Sequence, residues 1–475
     1  MYKLPKYEYN YSVEIDPYEE TLQRVSSSSS REPKDKTVSL IVPPSPQVPT
    51  LGREFLVTGP FEGVTYLATL IRKMGYRLKV IDCRLKQDIN QVITDGVKDA
   101  DIIGIATYCD SFIFLRETTA LIKKRYPGKL IFLGGPLVTS LPEIVLGNTS
   151  ADCAILGEAE LTLIEFLEKY FTKNGHDFNG IKGMAYRDNG RVRINPARPQ
   201  IRNLDHLPIL DYTIWPNYDS IVKNGQILIS SMRGCPQECS FCFKTIPALR
   251  LKSLERFEEE VACLKEKTNF NYTWLNDLTF NVIEKRAIEV CKILKKYDVR
   301  YHCFARVQKV SKELVSVLKE TGCQGIWFGI ESYCQDVLDK NRKNIKIEEI
   351  NNAVKTAENA GLVIRGLFIV GLYGETESSL KGMLDFIKQG TFLPLVKYLV
   401  PFPGTSLYKY AVQSGKIKDV VEFLKMLSAR KVSDYDDEII NLTDLKEETL
   451  RDYFHQIWSI TKERALFCVT QQNIL

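Results

Sequence analysis

The segment RGCPQECSFCFK, residues 233–244, decides how this chain is interpreted, because it places Cys235, Cys239 and Cys242 in a CxxxCxxC pattern. The three thiols lie close together on a loop that contains glycine and proline. No fourth cysteine follows until Cys263. The question is what chemistry needs three soft ligands rather than four.

An iron–sulfur cluster explains this pattern better than zinc or a disulfide. Structural zinc sites are closed by four Cys or His ligands, and disulfides are rare in a reducing compartment. Ordinary iron–sulfur clusters take four thiolates. Three thiolates would leave one iron without a protein ligand, and that open position is where a small molecule can bind.

Composition indicates an ordinary globular protein with more than one domain. The chain has 475 residues, a hydrophobic fraction of 44% and a net charge of +5, and a chain of this length is expected to form two or three domains. The small net charge argues against a dedicated nucleic-acid binder. No apolar run approaches the roughly 18 residues that span a bilayer, and the N-terminus lacks a signal-peptide pattern. We therefore expect a cytoplasmic protein without a transmembrane segment.

The first part of the chain predicts a parallel sheet. Residues 1–36 are polar and rich in tyrosine, which predicts a flexible or wrapping extension. Over residues 37–170, strand-like segments rich in Ile, Leu and Val alternate with amphipathic helices, which predicts a doubly wound, Rossmann-like parallel sheet. Ligands of such sheets bind at the carboxyl ends of the strands. The predicted strands are TVSLIV, RLKVIDC, ADIIGIATY, GKLIFLGGP and DCAILGEAE.

The rest of the chain predicts a second α/β unit. Residues 171–222 are expected to form a linker with a β-hairpin, because Asp188-Asn189-Gly190 is a strong turn signal between two short strands. Residues 223–411 return to alternating strands and helices, which predicts a full or partial parallel barrel with its chemistry at the strand C-terminal ends. Residues 412–475 are expected to be helical. The predicted fold class is α/β throughout.

Several ordered motifs resemble those of the radical S-adenosylmethionine (SAM) superfamily. The cysteine loop follows a predicted first barrel strand, and NDLTF from Asn276, FARV, GIES from Gly329, GLFIVGLYGET from Gly366 and PFPGT from Pro401 come in the expected order. Tyr373 stands where this family usually has proline. The resemblance implies a partial, TIM-like (β/α)6 barrel.

The resemblance also implies roles for individual residues. Cys235, Cys239 and Cys242 would hold a [4Fe–4S] cluster whose open iron binds SAM, and one-electron reduction would yield a 5′-deoxyadenosyl radical. Phe241 would pack near the adenine. The residues expected to contact SAM are Phe241, Asn276, Asp277, Arg306, Glu331, Ser332, Gly371, Pro401 and Pro403.

The N-terminal segment resembles the cobalamin-binding domain that precedes the barrel in many radical SAM enzymes. The similarity covers residues 37–170 and rests on IVPP, the following helix, GGP from Gly134 and LGEAE from Leu156. Small residues at strand ends would let a flat macrocycle approach the backbone. The residues expected to contact cobalamin are Pro43, Pro44, Gly63, Thr107, Tyr108, Gly134, Gly135, Pro136, Gly157 and Glu158.

One departure concerns the cobalt ligand. The DxHxxG loop of other cobalamin proteins is absent, and the histidines of the chain are His176, His206, His302 and His455, all outside residues 37–170. Cobalt would then have no histidine ligand, as is general in this radical SAM subgroup. The same absence also fits a domain that kept its fold and lost its cofactor.

The leading functional hypothesis is a cobalamin-dependent radical SAM methyltransferase. The resemblance implies that one SAM methylates cobalamin and a second generates the radical, so that an unactivated carbon is methylated through methylcobalamin. The alternative is cyclisation, ring contraction or carbon–carbon coupling, with cobalamin redox-active or lost. A methylthiotransferase would need three further cluster cysteines, and Cys83, Cys109 and Cys153 fall at different predicted strands or strand ends. A zinc or iron–sulfur module that binds nucleic acid is the remaining class.

The expected partners are a one-electron donor such as flavodoxin or ferredoxin and a substrate that is a small molecule, a lipid or a peptide. The tyrosine-rich extension and the helical segment after residue 412 have the least resemblance to the family. We hypothesise that these two segments close over the barrel mouth and determine substrate specificity.

Overall fold

The structure is a computed structural model. It describes residues 16–28, 33–44, 59–85, 88–172, 177–223, 227–244, 248–429 and 438–472. Over these ranges the chain forms a seven-stranded sheet, a six-stranded sheet and a small two-stranded ribbon, with α-helices packed around them. The α/β class that the sequence predicts is confirmed.

The first sheet has the strand order β2-β1-β3-β4-β5-β6-β7. Its first five strands are parallel, as the sequence predicts, and the order reverses between β1 and β3. The carboxyl ends of β1, β3, β4 and β5 therefore meet at one edge, where ligands of such sheets bind. The strands are β1 Thr37–Val42, β2 Arg77–Asp82, β3 Ile102–Ala106, β4 Leu130–Gly134, β5 Cys153–Ile155, β6 Met184–Asp188 and β7 Arg191–Ile194.

The predicted hairpin is confirmed, and it extends the first sheet. Strands β6 and β7 pair antiparallel, and β6 pairs antiparallel with β5. Asn189 and Gly190 have φ angles of 49° and 79°, the left-handed turn conformation that an Asn-Gly pair favours. The segment expected to be a linker thus contributes two strands to the first sheet.

The N-terminal extension is packed where the structure describes it. Helix α1, Tyr18–Ser27, lies against the helices Glu160–Thr172 and Glu62–Lys73, and its Leu22 and Val25 are fully buried. Over residues 16–28 the extension therefore packs on the first domain, as its wrapping alternative expects, and residues 1–15 and 29–32 lie outside the described ranges. The other helices of this part are α2 Glu62–Lys73, α3 Ile89–Val97, α4 Phe112–Arg125, α5 Pro136–Ser140, α6 Pro142–Gly147 and α7 Glu160–Thr172.

The second sheet is a six-stranded parallel array in the order β15-β14-β13-β12-β11-β8. All neighbouring pairs are parallel, and sequential strands are adjacent as in a barrel that is not closed. The partial barrel is therefore confirmed. Its strands are β8 Ile227–Ile229, β11 Tyr272–Leu275, β12 Arg300–Ala305, β13 Cys323–Glu331, β14 Ile364–Val370 and β15 Leu393–Tyr398, and the separate ribbon pairs β9 Met232–Arg233 with β10 Arg250–Leu251.

Short polar residues start several of the barrel helices. Ser253, Ser311, Thr376 and Thr405 each accept a hydrogen bond from a backbone N–H of the first helical turn, which satisfies a donor that the helix itself cannot pair. The helices of this part are α8 Tyr218–Lys223, α9 Leu254–Thr268, α10 Glu284–Lys296, α11 Lys312–Glu320, α12 Gln335–Lys340, α13 Ile347–Asn359, α14 Glu377–Gln389, α15 Ser406–Gln413, α16 Val420–Ala429 and α17 Glu447–Gln472.

Side chains cover both outer strands of the open barrel. The Tyr212 hydroxyl donates to the backbone carbonyl of Leu228 in β8 and accepts from the Leu228 N–H. At the other edge, α17 packs along β15 and Thr461 donates to the carbonyl of Pro394. The helical character predicted for residues 412–475 is confirmed for 420–429 and 447–472. Among the described residues, no helix is long and apolar enough to cross a lipid bilayer.

Candidate active site

The three cysteines of the loop line a single pocket at the carboxyl end of the barrel. Gly234, with φ of 84°, directs the chain from β9 into the loop. Cys235 and Cys239 are half-buried and Cys242 is exposed. The other residues that line this pocket are Pro236, Glu238, Lys244, Arg342, Gly404, Thr405 and Ser406.

Asp277 fixes the strand that leads into the cysteine loop. One carboxylate oxygen accepts from the backbone N–H groups of Ser231 and Met232 at 2.8 and 3.0 Å, and the other accepts from the Ser231 hydroxyl at 2.6 Å. Burial raises the pKa of Asp277 to about 6, although these hydrogen bonds oppose the shift. The side chain is fully buried and holds the strand that leads into the cysteine loop, and its predicted contact with SAM stays a prediction.

The middle of the cysteine loop is held by Asn341, which follows α12. The Asn341 carbonyl accepts from the Ser240 backbone N–H at 3.0 Å, and its side-chain oxygen accepts from the Ser240 hydroxyl at 2.9 Å. Its amide group donates to the carbonyls of Val337 and Tyr373. Both Ser240 and Asn341 are buried. Because all these groups are paired, the loop is rigidly tied to β14 and α12.

A buried ion pair lies beside Phe241. Lys343 Nζ is 2.8 Å from Glu331 Oε1, and the ammonium lies 5.8 Å from the centre of the Phe241 ring. Glu331 has φ of 69°, which is unusual for a residue with a side chain, and the pairing of β13 with β14 shifts register next to it. The Arg306 guanidinium donates to the carbonyls of Lys343 and Asn344. Three residues predicted to contact SAM thus lie around one buried lysine.

Ser332 and Gly371 also lie at the carboxyl ends of the barrel strands. Ser332 is completely buried, and its hydroxyl has no hydrogen-bond partner among the described residues, a condition that a bound polar ligand can relieve. Gly371 has φ of 93° and donates its N–H to Glu375 at 2.6 Å. Burial raises the pKa of Glu375 to about 8.

The proline loop after β15 contacts the first domain. Pro401 and Pro403 are buried on either side of the exposed Phe402. A Cβ atom at Gly404 would lie 2.5 Å from the Phe243 ring and 2.7 Å from the Ser140 hydroxyl of α5. Only glycine fits here, with φ of 90°. The cysteine pocket therefore borders directly on the helix that follows β4.

Asn276 makes a contact between domains rather than facing the pocket. It is exposed, and its amide donates to Glu62 at the start of α2 at 2.7 Å. The same glutamate accepts from the Ser230 hydroxyl. The structure therefore gives Asn276 a partner in the first domain, and its predicted contact with SAM stays a prediction.

Most of the predicted cobalamin contacts gather at the carboxyl edge of the first sheet. Thr107 after β3 is buried, its backbone N–H donates to the Gly134 carbonyl, and its hydroxyl accepts from Val138. Gly135 has φ of 124°, and a Cβ there would lie 2.6 Å from the Thr107 carbonyl. A Cβ at Gly157 would meet nothing within 4 Å. This edge is therefore lined by close-packed backbone and left open near Gly157.

The other predicted cobalamin residues have mixed surroundings. Pro43 is buried and Pro44 half-buried at the end of β1, and Pro136 starts α5. The Tyr108 ring lies 4.8 Å from that of Phe61. Gly63 is exposed in the first turn of α2, two residues beyond Phe61.

Glu158 is engaged by two arginines of the second domain. Its carboxylate pairs with Arg233 at 2.6 Å and with Arg250 at 2.9 Å, and it accepts from the Ile201 N–H. Burial alone would raise the pKa of Glu158, but the two positive charges outweigh burial and lower it. Glu158 therefore joins the first sheet to the second domain, and its predicted contact with cobalamin stays a prediction.

Two family models match the chain. The radical SAM superfamily model matches residues 229–387, and the B12 binding domain model matches residues 51–167. A protein of Pyrococcus horikoshii named as an uncharacterized methyltransferase is 32% identical over 80% of this chain and 83% of that relative. The chain belongs to the cobalamin-dependent radical SAM family. Like other members, it is an enzyme.

Further members of the family have related sequences or folds. The bacteriochlorophyllide d C-8(2)-methyltransferase of Chlorobaculum tepidum is 24% identical over 72% of this chain and 74% of its own length. The TsrM structure from Kitasatospora setae, with cobalamin and a [4Fe–4S] cluster, has a TM-score of 0.64 at 16% identity and covers 89% of this chain and 85% of TsrM. OxsB with aqua-cobalamin has a TM-score of 0.65 at 18% identity and covers 95% of this chain and 68% of OxsB.

The cofactors of this radical SAM protein are a [4Fe–4S] cluster, SAM and cobalamin. The residues present fit all three. Three cysteines share one pocket, the buried Ser332 hydroxyl lacks a partner in the described chain, and the edge of the first sheet is open at Gly157, where a Cβ would meet nothing within 4 Å.

The segment that follows α12 contains three site residues that the sequence motifs do not predict. Within it, Asn341 holds the cysteine loop, Arg342 lines the pocket and Lys343 pairs with Glu331. Arg342 and Asn344 both have positive φ angles, so this segment is a tight non-helical turn. A signal was present, because KNRKN (residues 340–344) interrupts the apolar spacing of the helices on either side.

Proposed function

We propose that this enzyme methylates an unactivated carbon of its substrate, with SAM as the methyl source and cobalamin as the methyl carrier. The observation that carries the proposal is the contact of Gly404 with Phe243 and Ser140. It brings the cysteine pocket next to the helix that begins at the carboxyl edge of the first sheet. When bound, the cluster supplies the electron that splits SAM, and cobalamin supplies the methyl group. Relatives named as methyltransferases support this proposal.

The chain's own residues would hold the cluster and orient SAM. Cys235, Cys239 and Cys242 would be the cluster ligands, and Asp277 and Asn341 keep their loop in place. Phe241 would offer an apolar face to the adenine. Polar groups and backbone at the strand ends would come from Glu331, Ser332, Arg306 and Gly371. The surrounding loops would be shaped by Asn276, Pro401 and Pro403.

At the first sheet, backbone would do most of the binding. Gly134, Gly135 and Gly157 allow a flat macrocycle to approach closely, and Thr107 is fixed by its two hydrogen bonds. Residues 37–170 contain no histidine, so no imidazole of this domain would bind cobalt. Pro43, Pro44, Gly63, Tyr108 and Pro136 would complete the border.

The reaction needs partners that we propose on chemical grounds. A one-electron donor such as flavodoxin or ferredoxin would reduce the cluster, because cleavage of SAM consumes an electron. The methyl acceptor would be a small molecule, a lipid or a peptide. The exposed Cys242 shows that part of the cysteine pocket is close to the surface, where a donor protein can approach.

Methyl transfer can be tested without knowing the acceptor. Enzyme purified without air and loaded with cluster and hydroxocobalamin is incubated with SAM and titanium(III) citrate. We expect S-adenosylhomocysteine together with 5′-deoxyadenosine, because methylation of cobalamin releases the former and reductive cleavage releases the latter. Production of 5′-deoxyadenosine alone, at full cobalt loading, would contradict methyl transfer.

The cluster assignment has a separate test. Replacement of Cys235, Cys239 and Cys242 by alanine should abolish iron and sulfide uptake and all cleavage of SAM. Cys263→Ala is the matched control, since this half-buried thiol lies in α9, outside the pocket. Iron and sulfide are quantified after anaerobic reconstitution. Wild-type iron content in the triple variant would refute the proposed ligands.

A second candidate is radical chemistry without methyl transfer. The anaerobic magnesium-protoporphyrin IX monomethyl ester cyclase of Rubrivivax gelatinosus is 26% identical over 70% of this chain and 62% of the cyclase, which favours a ring-forming reaction as the alternative. The absence of S-adenosylhomocysteine in the assay above would support this candidate instead.

A further inference from the structure

A buried ionic network joins the first sheet to the entrance of the cysteine loop. Arg233, the last residue of β9, donates to Glu158 at 2.6 Å and to Glu160 at 2.7 Å through its two terminal nitrogens. Glu158 lies in the turn after β5, and Glu160 is the first residue of α7. The guanidinium also lies over the Tyr66 ring of α2, 4.6 Å from its centre. Arg233 is thus held on two sides by the first domain.

A second arginine completes the network. Arg250 in β10 pairs with Arg233 across the small antiparallel ribbon, and its guanidinium binds Glu158 at 2.9 and 3.2 Å. The four charged side chains are between 4% and 11% exposed, so water screens their attraction poorly. Two positive and two negative charges balance one another. The network therefore fixes both strands of the ribbon against the turn after β5.

The two ends of this network have different neighbours. On the first domain, Glu158 follows Gly157 at the carboxyl edge where cobalamin is expected. On the barrel, only Gly234 separates Arg233 from Cys235, the first proposed cluster ligand. A displacement of Arg233 would therefore also displace Cys235. The residue between them, Gly234, has φ of 84° and sets the direction in which the chain enters the loop.

We propose that Arg233 and Glu158 are positioning residues that set the separation of the cluster from cobalamin. The contacts between Arg233, Glu158, Glu160 and Arg250 hold the cysteine loop at a fixed place relative to the first sheet. This proposal rests on the cofactor positions of the proposed function. It does not depend on whether a methyl group is transferred.

The test measures the magnetic interaction between the two cofactors. Enzyme loaded with both is reduced so that the cluster and cob(II)alamin are paramagnetic, and pulsed electron paramagnetic resonance records the relaxation of the cob(II)alamin signal. Wild type should show one well-defined relaxation enhancement by the cluster. In R233Q and E158Q this relaxation enhancement should weaken and spread over a range of values. R233K keeps the positive charge but loses the bidentate geometry of the guanidinium, so it should restore the wild-type enhancement only in part.

The matched control is R198Q. Arg198 is also a buried arginine held by two carboxylates, Asp16 and Glu165, but it lies in the segment after β7 and its ion-pair partners lie beside α1 and in α7, away from the cysteine loop. R198Q should lose thermal stability and keep the wild-type relaxation.

Wild-type relaxation in R233Q or E158Q with both cofactors bound would overturn the proposal. If R233Q does not take up the cluster, E158Q decides, because it leaves Arg233 paired with Glu160. The relaxation measurement requires no methyl transfer, whereas the S-adenosylhomocysteine assay tests methyl transfer directly. A negative result for the positioning proposal can therefore be distinguished from a negative result for the methyltransferase proposal.

Discussion

At the scale of single residues, Glu375 is the most strongly perturbed acid whose pKa lies in the neutral range. One carboxylate oxygen accepts from the Gly371 N–H, whereas the other has no hydrogen-bond partner in the part of the chain that the structure describes. Burial raises its pKa from 4.5 to about 8. The folded protein therefore keeps a proton on Glu375 under conditions in which the unfolded chain releases it.

This proton makes the free energy of unfolding depend on pH. Because the pKa is raised on folding, the contribution of Glu375 is fully present below pH 4.5 and is lost as pH rises through about 8. The loss should be on the order of a few kcal/mol. Glu375→Gln should therefore be more stable than wild type at pH 9 and nearly equal to it at pH 5.

Thermal unfolding followed by circular dichroism across this pH range measures the effect. Glu348→Gln, at an exposed position in α13, is the control and should follow the wild-type curve. If the melting temperatures of wild type and Glu375→Gln changed in parallel with pH, the carboxyl group of Glu375 would not have a raised pKa, which would contradict the prediction.

At the scale of elements, the segment between α12 and α13 determines how firmly the cysteine loop is held. Asn341 makes hydrogen bonds to Ser240, Val337 and Tyr373, so it joins the loop, the end of α12 and the turn after β14. Removal of the buried amide takes away the bonds to the Ser240 hydroxyl and the Tyr373 carbonyl, at a cost of about 1 to 3 kcal/mol, whereas the backbone bonds of Asn341 to Ser240 and Val337 remain.

Asn341→Ala should therefore weaken retention of the cluster more than it changes the fold. We expect faster loss of iron to a chelator under anaerobic conditions and a modest decrease in the melting temperature. Asn352→Ala, exposed on α13, is the control and should release iron at the wild-type rate. Equal iron release from Asn341→Ala and wild type would argue against a role in holding the loop.

The sequence predicts the elements well because their signals are local. Alternating apolar strands and helices predict both parallel sheets, and Asp188-Asn189-Gly190 predicts the hairpin. It does not predict that the hairpin joins β5, because antiparallel pairing with a distant strand leaves no local pattern. The protein partners of Asp277 and Glu158 could not be predicted for the same reason, since a motif shows which residue is present and not which distant backbone or arginine it binds.

At the scale of the whole molecule, α1 is attached to the first domain by buried charges. Arg198 pairs with both oxygens of Asp16, at 2.9 and 2.8 Å, and with Glu165 of α7. These side chains are almost completely buried. The described part of the N-terminal extension thus stabilises the first domain, which does not support the hypothesis that it covers the barrel mouth.

Asp16→Ala should lower the stability of the molecule without changing its cofactors. Arg198 keeps Glu165, so the expected loss is about 2 kcal/mol, less than for a buried charge without any partner. Chemical denaturation measures the loss, and iron and cobalt analysis should give wild-type values. Asp188→Ala, which removes a partly exposed partner of Arg193 at the hairpin, is the control with a smaller expected effect. An unchanged free energy of unfolding would contradict the role of the pair.

The covering of both outer barrel strands has a consequence for how copies of this protein behave together. An incomplete barrel presents two rows of backbone groups that a strand from another molecule can join, which is a route to aggregation. Here the Tyr212 hydroxyl forms hydrogen bonds with both the N–H and the carbonyl of Leu228. The Thr461 hydroxyl donates to the carbonyl of Pro394, and proline has no backbone N–H. The barrel can therefore remain open without pairing its outer strands with those of a second molecule.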